Sequence, residues 1–331
     1  MLNEMNHIPE AFFNAQADEL QDILGAPTLF HLDGINRQPL FICTLLHGNE
    51  TTGFYAIQRL LQQYRGKKLP RAISIFIGNI AAAKENQRHL DTQDDFNRIW
   101  PGSHHDDSAE KDMMHTVTHI MMRKKPFASI DIHNNTGKNP HYSCINILNP
   151  RGLILASKFS DIAVYFTDPK GVQSSAFSDF CPSVVLECGQ ASDRSGEEHA
   201  LQYLNTILNL KNLSSHNSNA LSLYHTIARV IIPKTVSIGD ENKDINLNAE
   251  LENKNFHVIQ PGTKFAGVYS SKDKTIVVNN ESHEDITEEY IERKNDKLLL
   301  KKAITLAMFT TNERAIRQDC VCYFMEELHI G

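Results

Sequence analysis

The sequence predicts an α/β protein with a smaller β-rich C-terminal part. Two patterns carry that prediction. Short β-rich runs that end in polar or glycine residues alternate with helically spaced segments over the first two thirds of the chain. A Ser/Asn-rich stretch then gives way to short alternating runs. The length, 331 residues at 41% hydrophobic, is enough for a large core and points to two domains or one large one.

The β-rich runs are Leu40–Leu46, Ala72–Gly78, Ala128–Ile132, Cys144–Leu148, Ile162–Phe166 and Ser183–Leu186. Between the first two, Thr51–Tyr64 places Phe54, Ile57, Leu60 and Leu61 at helical spacing. Further helices are expected at Asp112–Met122 and Gly196–Leu210. Alternation of this kind suggests parallel strands, which bind ligands beyond their carboxyl ends. The polar stretch Asn209–Ser222 reads as a boundary, dividing 1–215 from 222–331. Beyond it, "HTIARVII" and "KTIVVNN" read as strands, "QPGTKFAG" as a turn between strands, and Asp285–Lys294 as a helix.

Net charge of -7 argues against a general nucleic-acid binder, which needs a basic face for phosphates. With no apolar run of about 18 residues, no membrane span is expected. The leading "MLNEMNHIPEAFFNAQADELQDILG" has early acids and no apolar signal core, so a cytoplasmic protein with a polar leading helix is expected. Cys43, Cys144 and Cys188 sit in or beside apolar runs and read as buried thiols. Cys320-Val321-Cys322 lacks the spacing of a zinc knuckle.

The chemistry gathers at the ends of the β-rich runs. His47 and Glu50 in "HGNE" follow the first run, three residues apart, and in a turn can grip one ion from the same side. By itself such a pair is an ordinary surface motif. His133 follows the run in "ASIDIHNNTG" and completes a His₂Glu set that leaves zinc a fourth position for water. Asp131 shares a strand face with His133 and can either orient it as a hydrogen-bond acceptor or stand as a solvated carboxylate. Glu187 ends the run in "PSVVLECGQ", where a carboxylate is costly unless exposed or paired. At a metal site it could take a proton from water and pass it to a leaving amine. "NQRHLDTQDDFNRIW" offers Arg88, Asn97 and Arg98, suited to carboxylate binding and oxyanion stabilisation. Rival constellations are weaker. His115 and His119 sit four apart on a predicted helix but lack the glutamate of HExxH, His104-His105 lies in a polar loop, and no GxSxG occurs.

Taken in order, HGNE, Arg88 followed by DFNR, DIHNNTG and LECG resemble the succinylglutamate desuccinylase/aspartoacylase branch of the zinc carboxypeptidase superfamily over Leu40–Gln190. The resemblance implies a zinc-carboxypeptidase-like α/β/α mixed sheet with a smaller C-terminal β-rich domain, and a zinc-dependent amidohydrolase. By motif position it implies one zinc ion on His47, Glu50 and His133, with Glu187 as general base and then acid. Arg88 would polarise the scissile carbonyl, and Asn97 and Arg98 would bind the substrate's carboxylate. "EEYIERK" is weakly similar to a segment whose tyrosine reaches the substrate, which makes Tyr290 a candidate. A homodimer is compatible with the resemblance. Aspartoacylase-like members carry an arginine upstream of the catalytic glutamate. Here Val172–Glu187 contains neither Arg nor Lys, and Ser174, Ser175 and Ser178 suggest a neutral or polar pocket in place of one for an acidic acyl group. The expected activity is hydrolysis of an N-acyl amino acid or related small amide. The alternatives are a metallocarboxypeptidase acting on short peptides or cell-wall fragments, and a non-catalytic zinc-containing binding protein.

Overall fold

A computed structural model describes residues 1–329 apart from 192, 215–220, 241, 271 and 273. Part of the expected boundary stretch, 215–220, therefore lies outside the described residues. The chain divides into two compact units. One comprises Met1–Asn134 and His141–Ser222, and the other Asn135–Pro140 and Leu223–Gly331.

The strands of the first unit are β1 (Asn3–Met5), β2 (Thr28–Leu32), β3 (Gly34–Thr44), β4 (Leu69–Ile77), β5 (Ala128–His133), β6 (Tyr142–Ile145), β7 (Ile162–Tyr165) and β8 (Ser183–Glu187). They lie side by side in the order β1-β2-β4-β3-β5-β8-β6-β7. The four strands from β4 to β8 run parallel, while β2 and β6 meet their inner neighbours antiparallel, so the sheet is mixed. The central strands β5 and β8 are buried along their whole length on both faces, as a sheet covered by helices on two sides requires. Phe41 and Cys43 of β3 pack with Met113, Met114, Val117 and Met121 of the helix α4 (Ala109–Lys124), and with Ala176 and Phe177 of the short helix α6 (Gln173–Ser178). On the opposite face lies α2 (Thr52–Gln63), which packs on α7 (Arg194–Asn209); α3 (Ile80–Lys84) follows β4 and α5 (Pro150–Phe159) follows β6.

Gly53, in the first turn of α2, marks how closely that helix approaches the sheet. A Cβ there would sit 2.2 Å from Thr44 Oγ1 and 2.9 Å from Ile132 Cβ. Alanine would gain about 1 kcal/mol in helix propensity, but overpacking of a filled core typically costs ~1–3 kcal/mol or more. Gly53→Ala is therefore expected to lower the melting temperature by calorimetry, and a rise would contradict this packing.

Two expectations are corrected. The leading segment is not a polar helix. It forms β1, paired in parallel with Thr28–Phe30, a 3-10 turn over Glu10–Asn14, and the short α1 (Leu20–Leu24). Phe12 is drawn inward against the rings of Phe30 and Phe54, at 5.9 and 5.3 Å between centroids, and that contact replaces helical continuity. The helix expected over Asp285–Lys294 is one turn, Thr287–Tyr290, which converts into a strand over Ile291–Lys294 because those residues pair antiparallel with Leu300–Lys297.

The second unit is β-rich. Ser222–Ile231, Cys322–Glu327, Ile304–Ala307 and Val258–Ile259 lie in that order in one antiparallel sheet, with Val277–Asn280 also pairing Ser222–Ile231. Ile245–Leu247, Lys264–Val268, Lys297–Leu300 and Ile291–Lys294 form a second antiparallel sheet. The "QPG" turn falls where expected, with Gly262 at φ 81° between two strands. Its core includes Val230, Phe265, Leu306, Val321 and Phe324. All six cysteines of the chain are buried and outside disulfides. Among the described residues no helix is long and apolar enough to cross a membrane.

Candidate metal centre

Three neighbouring parallel strands, β3, β5 and β8, end at the same edge of the sheet, and each delivers a reactive side chain there. After β3 the chain enters a tight turn in which the Glu50 N–H donates to the His47 carbonyl at 3.1 Å. That turn folds the two side chains to one side. Gly48 at its second position is required by close approach, since a Cβ would lie 2.2 Å from the backbone nitrogen of Ala83. The Gly48 N–H donates to the carbonyl of Arg88, which ties the turn to the arginine-bearing loop. His133 is the last residue of β5 and Glu187 the last of β8. They are register partners and emerge on one face. Asn134 fastens the strand ends together: its N–H donates to Glu50 Oε2, and its amide donates to Thr52 Oγ1 and to the Gly189 carbonyl.

Nδ1 of His47 lies 2.8 Å from Glu50 Oε1, and Nδ1 of His133 lies 2.7 Å from Glu50 Oε2. The outer ring nitrogens face carboxylates as well. His47 Nε2 is 3.0 Å from Asp95 Oδ1, and His133 Nε2 is 2.9 Å from Asp131 Oδ2. A neutral imidazole has one N–H. With that proton donated outward, both Nδ1 lone pairs point at the Glu50 oxygens. Lone pair against lone pair is repulsive unless positive charge lies between them. The donor set therefore fits a cation, and two imidazoles with one carboxylate suit zinc. Among the described residues this is the one group of three such side chains whose ligand atoms lie within 4.8 Å of one another.

Without a metal, a proton on His133 meets the same demand for positive charge. Burial pushes the Glu50 carboxyl up, but His47 and His133 outweigh it and hold the group far below the carboxylate range. Burial lowers His133, yet Asp131 and Glu50 outweigh that and raise it well above the usual imidazole value. Asp95 is likewise pushed up by burial and held well down by Arg88, His47 and Arg98.

Asp95 and Asn134 are the site residues that sequence reasoning missed. The Asp in "DDFNR" is one of several acids in a polar loop, and only the fold brings it to a histidine 48 positions away. It now explains Arg88, whose Nε and a terminal nitrogen hold Asp95 Oδ2 at 3.1 and 3.0 Å, with the other terminal nitrogen 3.7 Å from Glu50 Oε1. Outer partners of metal-bound histidines typically contribute 10–100-fold in metal affinity. Asp95→Asn is accordingly expected to weaken zinc binding about 10–100-fold in a chelator competition, and an unchanged affinity would remove Asp95 from the site.

Asn97 is buried with its Nδ2 3.3 Å from His133 Nε2. The adjacent Arg98 donates to the Asn97 carbonyl at 2.9 Å and also faces Asp95. Tyr290 belongs to the second unit. It is buried there with its ring 5.2 Å from that of Phe324 and Lys302 Nζ 4.0 Å from its centroid. His115 and His119 line the more open face of α4, and His104-His105 is an exposed loop pair.

A model of the succinylglutamate desuccinylase/aspartoacylase catalytic domain matches residues 36–214. No curated protein sequence matches the chain. Solved structures with a similar fold include murine aminoacylase 3 at 15% identity, TM-score 0.61, covering 89% of this chain and 97% of that one. Succinylglutamate desuccinylase from Chromobacterium violaceum aligns at 14% identity, TM-score 0.58, covering 89% and 87%. The product-bound ectoine utilization protein EutE from Ruegeria pomeroyi aligns at 12% identity, TM-score 0.60, covering 91% and 88%.

Proposed function

From the premise that this chain belongs to the succinylglutamate desuccinylase/aspartoacylase family, we propose that it is a zinc-dependent deacylase that hydrolyses the amide bond of an N-acyl amino acid or a related small amide. The observation that carries this reading is the register pairing of Glu187 with the candidate ligand His133 on adjacent strand ends. That pairing sets a carboxylate beside a cation site, where a pure binding protein has no use for one.

Zinc held by His47, Glu50 and His133 would supply Lewis acidity to the attacking water and to the amide carbonyl. Glu187 takes the proton from the water and delivers it to the departing amine. Arg88 serves the oxyanion and at the same time steadies Asp95. The guanidinium of Arg98 and the amide of Asn97 receive the substrate's carboxylate. No arginine or lysine occurs between Val172 and Glu187. The acyl group is accordingly read as small and uncharged, such as acetyl or formyl.

The test is amine release by the zinc-loaded protein from N-acetyl, N-formyl and N-succinyl amino acids, with short peptides alongside. Turnover of the neutral acyl amino acids is expected. Preference for the succinyl compounds would overturn the acyl assignment. Release of C-terminal residues from peptides alone would make the protein a metallocarboxypeptidase. Binding of acyl amino acids with no turnover would make it a zinc-containing binding protein.

A further inference from the structure

Gln173 is a fully buried polar side chain beside the site. Gln173 opens α6 with no exposed surface, in a helix whose neighbours Ala176 and Phe177 belong to the hydrophobic core. An apolar residue would pack there at no desolvation cost, so the one side-chain hydrogen bond Gln173 makes, with Oε1 left unpartnered, needs a reason. Its backbone N–H donates to Asn97 Oδ1 at 3.0 Å. Its side-chain Nε2 donates to Ser129 Oγ at 2.8 Å. Ser129 is also fully buried, on β5 four residues before His133, on the strand face that Asp131 and His133 share.

The first of these bonds decides which way the Asn97 amide points. An N–H can be met only by the oxygen, so Oδ1 faces Gln173 and the NH₂ faces the metal centre, 3.3 Å from His133 Nε2. That ring nitrogen, donating to Asp131, cannot also accept from Asn97. With the ring in that tautomer, the Asn97 amide hydrogens find no acceptor on His133. The second bond fixes where the Gln173 N–H sits, because it pins the first residue of α6 to a strand of the central sheet.

We propose that Gln173 is a positioning residue. Anchored on Ser129, it holds the Asn97 amide with its NH₂ turned toward the substrate's carboxylate. The inference rests on the reading of Asn97 as a carboxylate-binding group, but its structural half can be tested without any substrate.

Gln173→Leu removes the anchor from one side and Ser129→Ala from the other, the latter by deletion of a single oxygen. In protein labelled with ¹⁵N at asparagine, the Asn97 side-chain NH₂ pair is identified by its disappearance in Asn97→Ala. It is expected to shift toward the position of solvent-exposed amides in both variants, in the zinc-loaded protein and with no ligand added. An unmoved pair in Ser129→Ala overturns the proposal, whether or not Gln173→Leu folds.

The second arm uses an N-acyl amino acid that the wild type turns over and the matching N-acyl amine, which lacks the carboxylate. KM for the acid is expected to rise about tenfold, the scale of a misaligned hydrogen bond to a charged group, with kcat within about twofold and zinc affinity unchanged. The double variant should be no worse than either single one, since both remove the same link. The amine should be insensitive. Equal losses on acid and amine, or a lower melting temperature with KM unchanged, would reduce Gln173 to a packing residue. A wild type that turns over nothing would fail the deacylase reading while leaving the NMR result to decide this one.

Discussion

Glutamine at position 187 is expected to lower kcat by about 10²–10⁴-fold, the usual contribution of a positioned general acid–base group, while zinc content stays at the wild-type level. The substitution keeps size and hydrogen-bonding shape. Glu187 is 7% exposed at the end of β8, flanked in register by His133 on one side and Tyr142 on the other, so the backbone that places it is fixed by two ladders. What changes is proton affinity. A neutral amide cannot take a proton from the attacking water, and the departing amine then leaves as an unprotonated anion or not at all. Zinc content measured beside the steady-state rates separates this from loss of the metal. Turnover within a few-fold of wild type, with zinc bound, would mean that the proton moves by another route and that the strand-end carboxylate is structural.

How much of this site could be read from the sequence depended on whether a residue's role is written in its own neighbourhood. His47, Glu50, His133 and Glu187 each follow or close an apolar run; singly each is an ordinary strand-end residue, and only together do they read as a metal-binding set with a base. The parallel order β3-β5-β8 that gathers them is a sheet property, legible only as the general rule that α/β sheets work at their carboxyl ends. Asp95 and Gln173 were not legible, because each acts through a partner distant in sequence. Asp95 meets His47, and Gln173 meets Asn97 and Ser129. The leading segment misled for a related reason. Its polar surface pattern suits a helix, but Phe12 is claimed by Phe30 and Phe54, and Asn3–Met5 by an open sheet edge. In the second unit, strand pairing with Leu300–Lys297 overrode the helical reading of Ile291–Lys294, a tertiary effect that no local window contains.

Removal of zinc by a chelator is expected to abolish turnover, and zinc affinity should rise with pH in a way the ligand geometry dictates. In the metal-free protein His133 titrates well above the ordinary imidazole value, because Asp131 and Glu50 together outweigh the effect of burial. A group raised in the folded state stabilises the metal-free fold fully below its unfolded pKa of about 6.5. That contribution is lost as pH climbs through the folded pKa. Glu50 has the opposite sign. Its depressed carboxyl adds stability that is present above about 4.5 and lost as pH falls through the folded value. Near neutrality both groups are therefore charged, and the imidazolium proton occupies the place a metal ligand's lone pair must take. Zinc has to displace it. Between pH 6 and 7 the apparent Kd should fall about tenfold per unit, and titration calorimetry in buffers of different ionisation enthalpy should report at least one proton released per zinc. Saturating zinc, at about 1,000 times Kd, should then stabilise the fold by about 4 kcal/mol against the chelated protein. A Kd that is flat over this range, with no proton released, would mean that His133 enters the metal-free state already neutral. Its Nδ1 would then be open to the metal with no proton to displace, and the raised imidazolium would not describe the metal-free site.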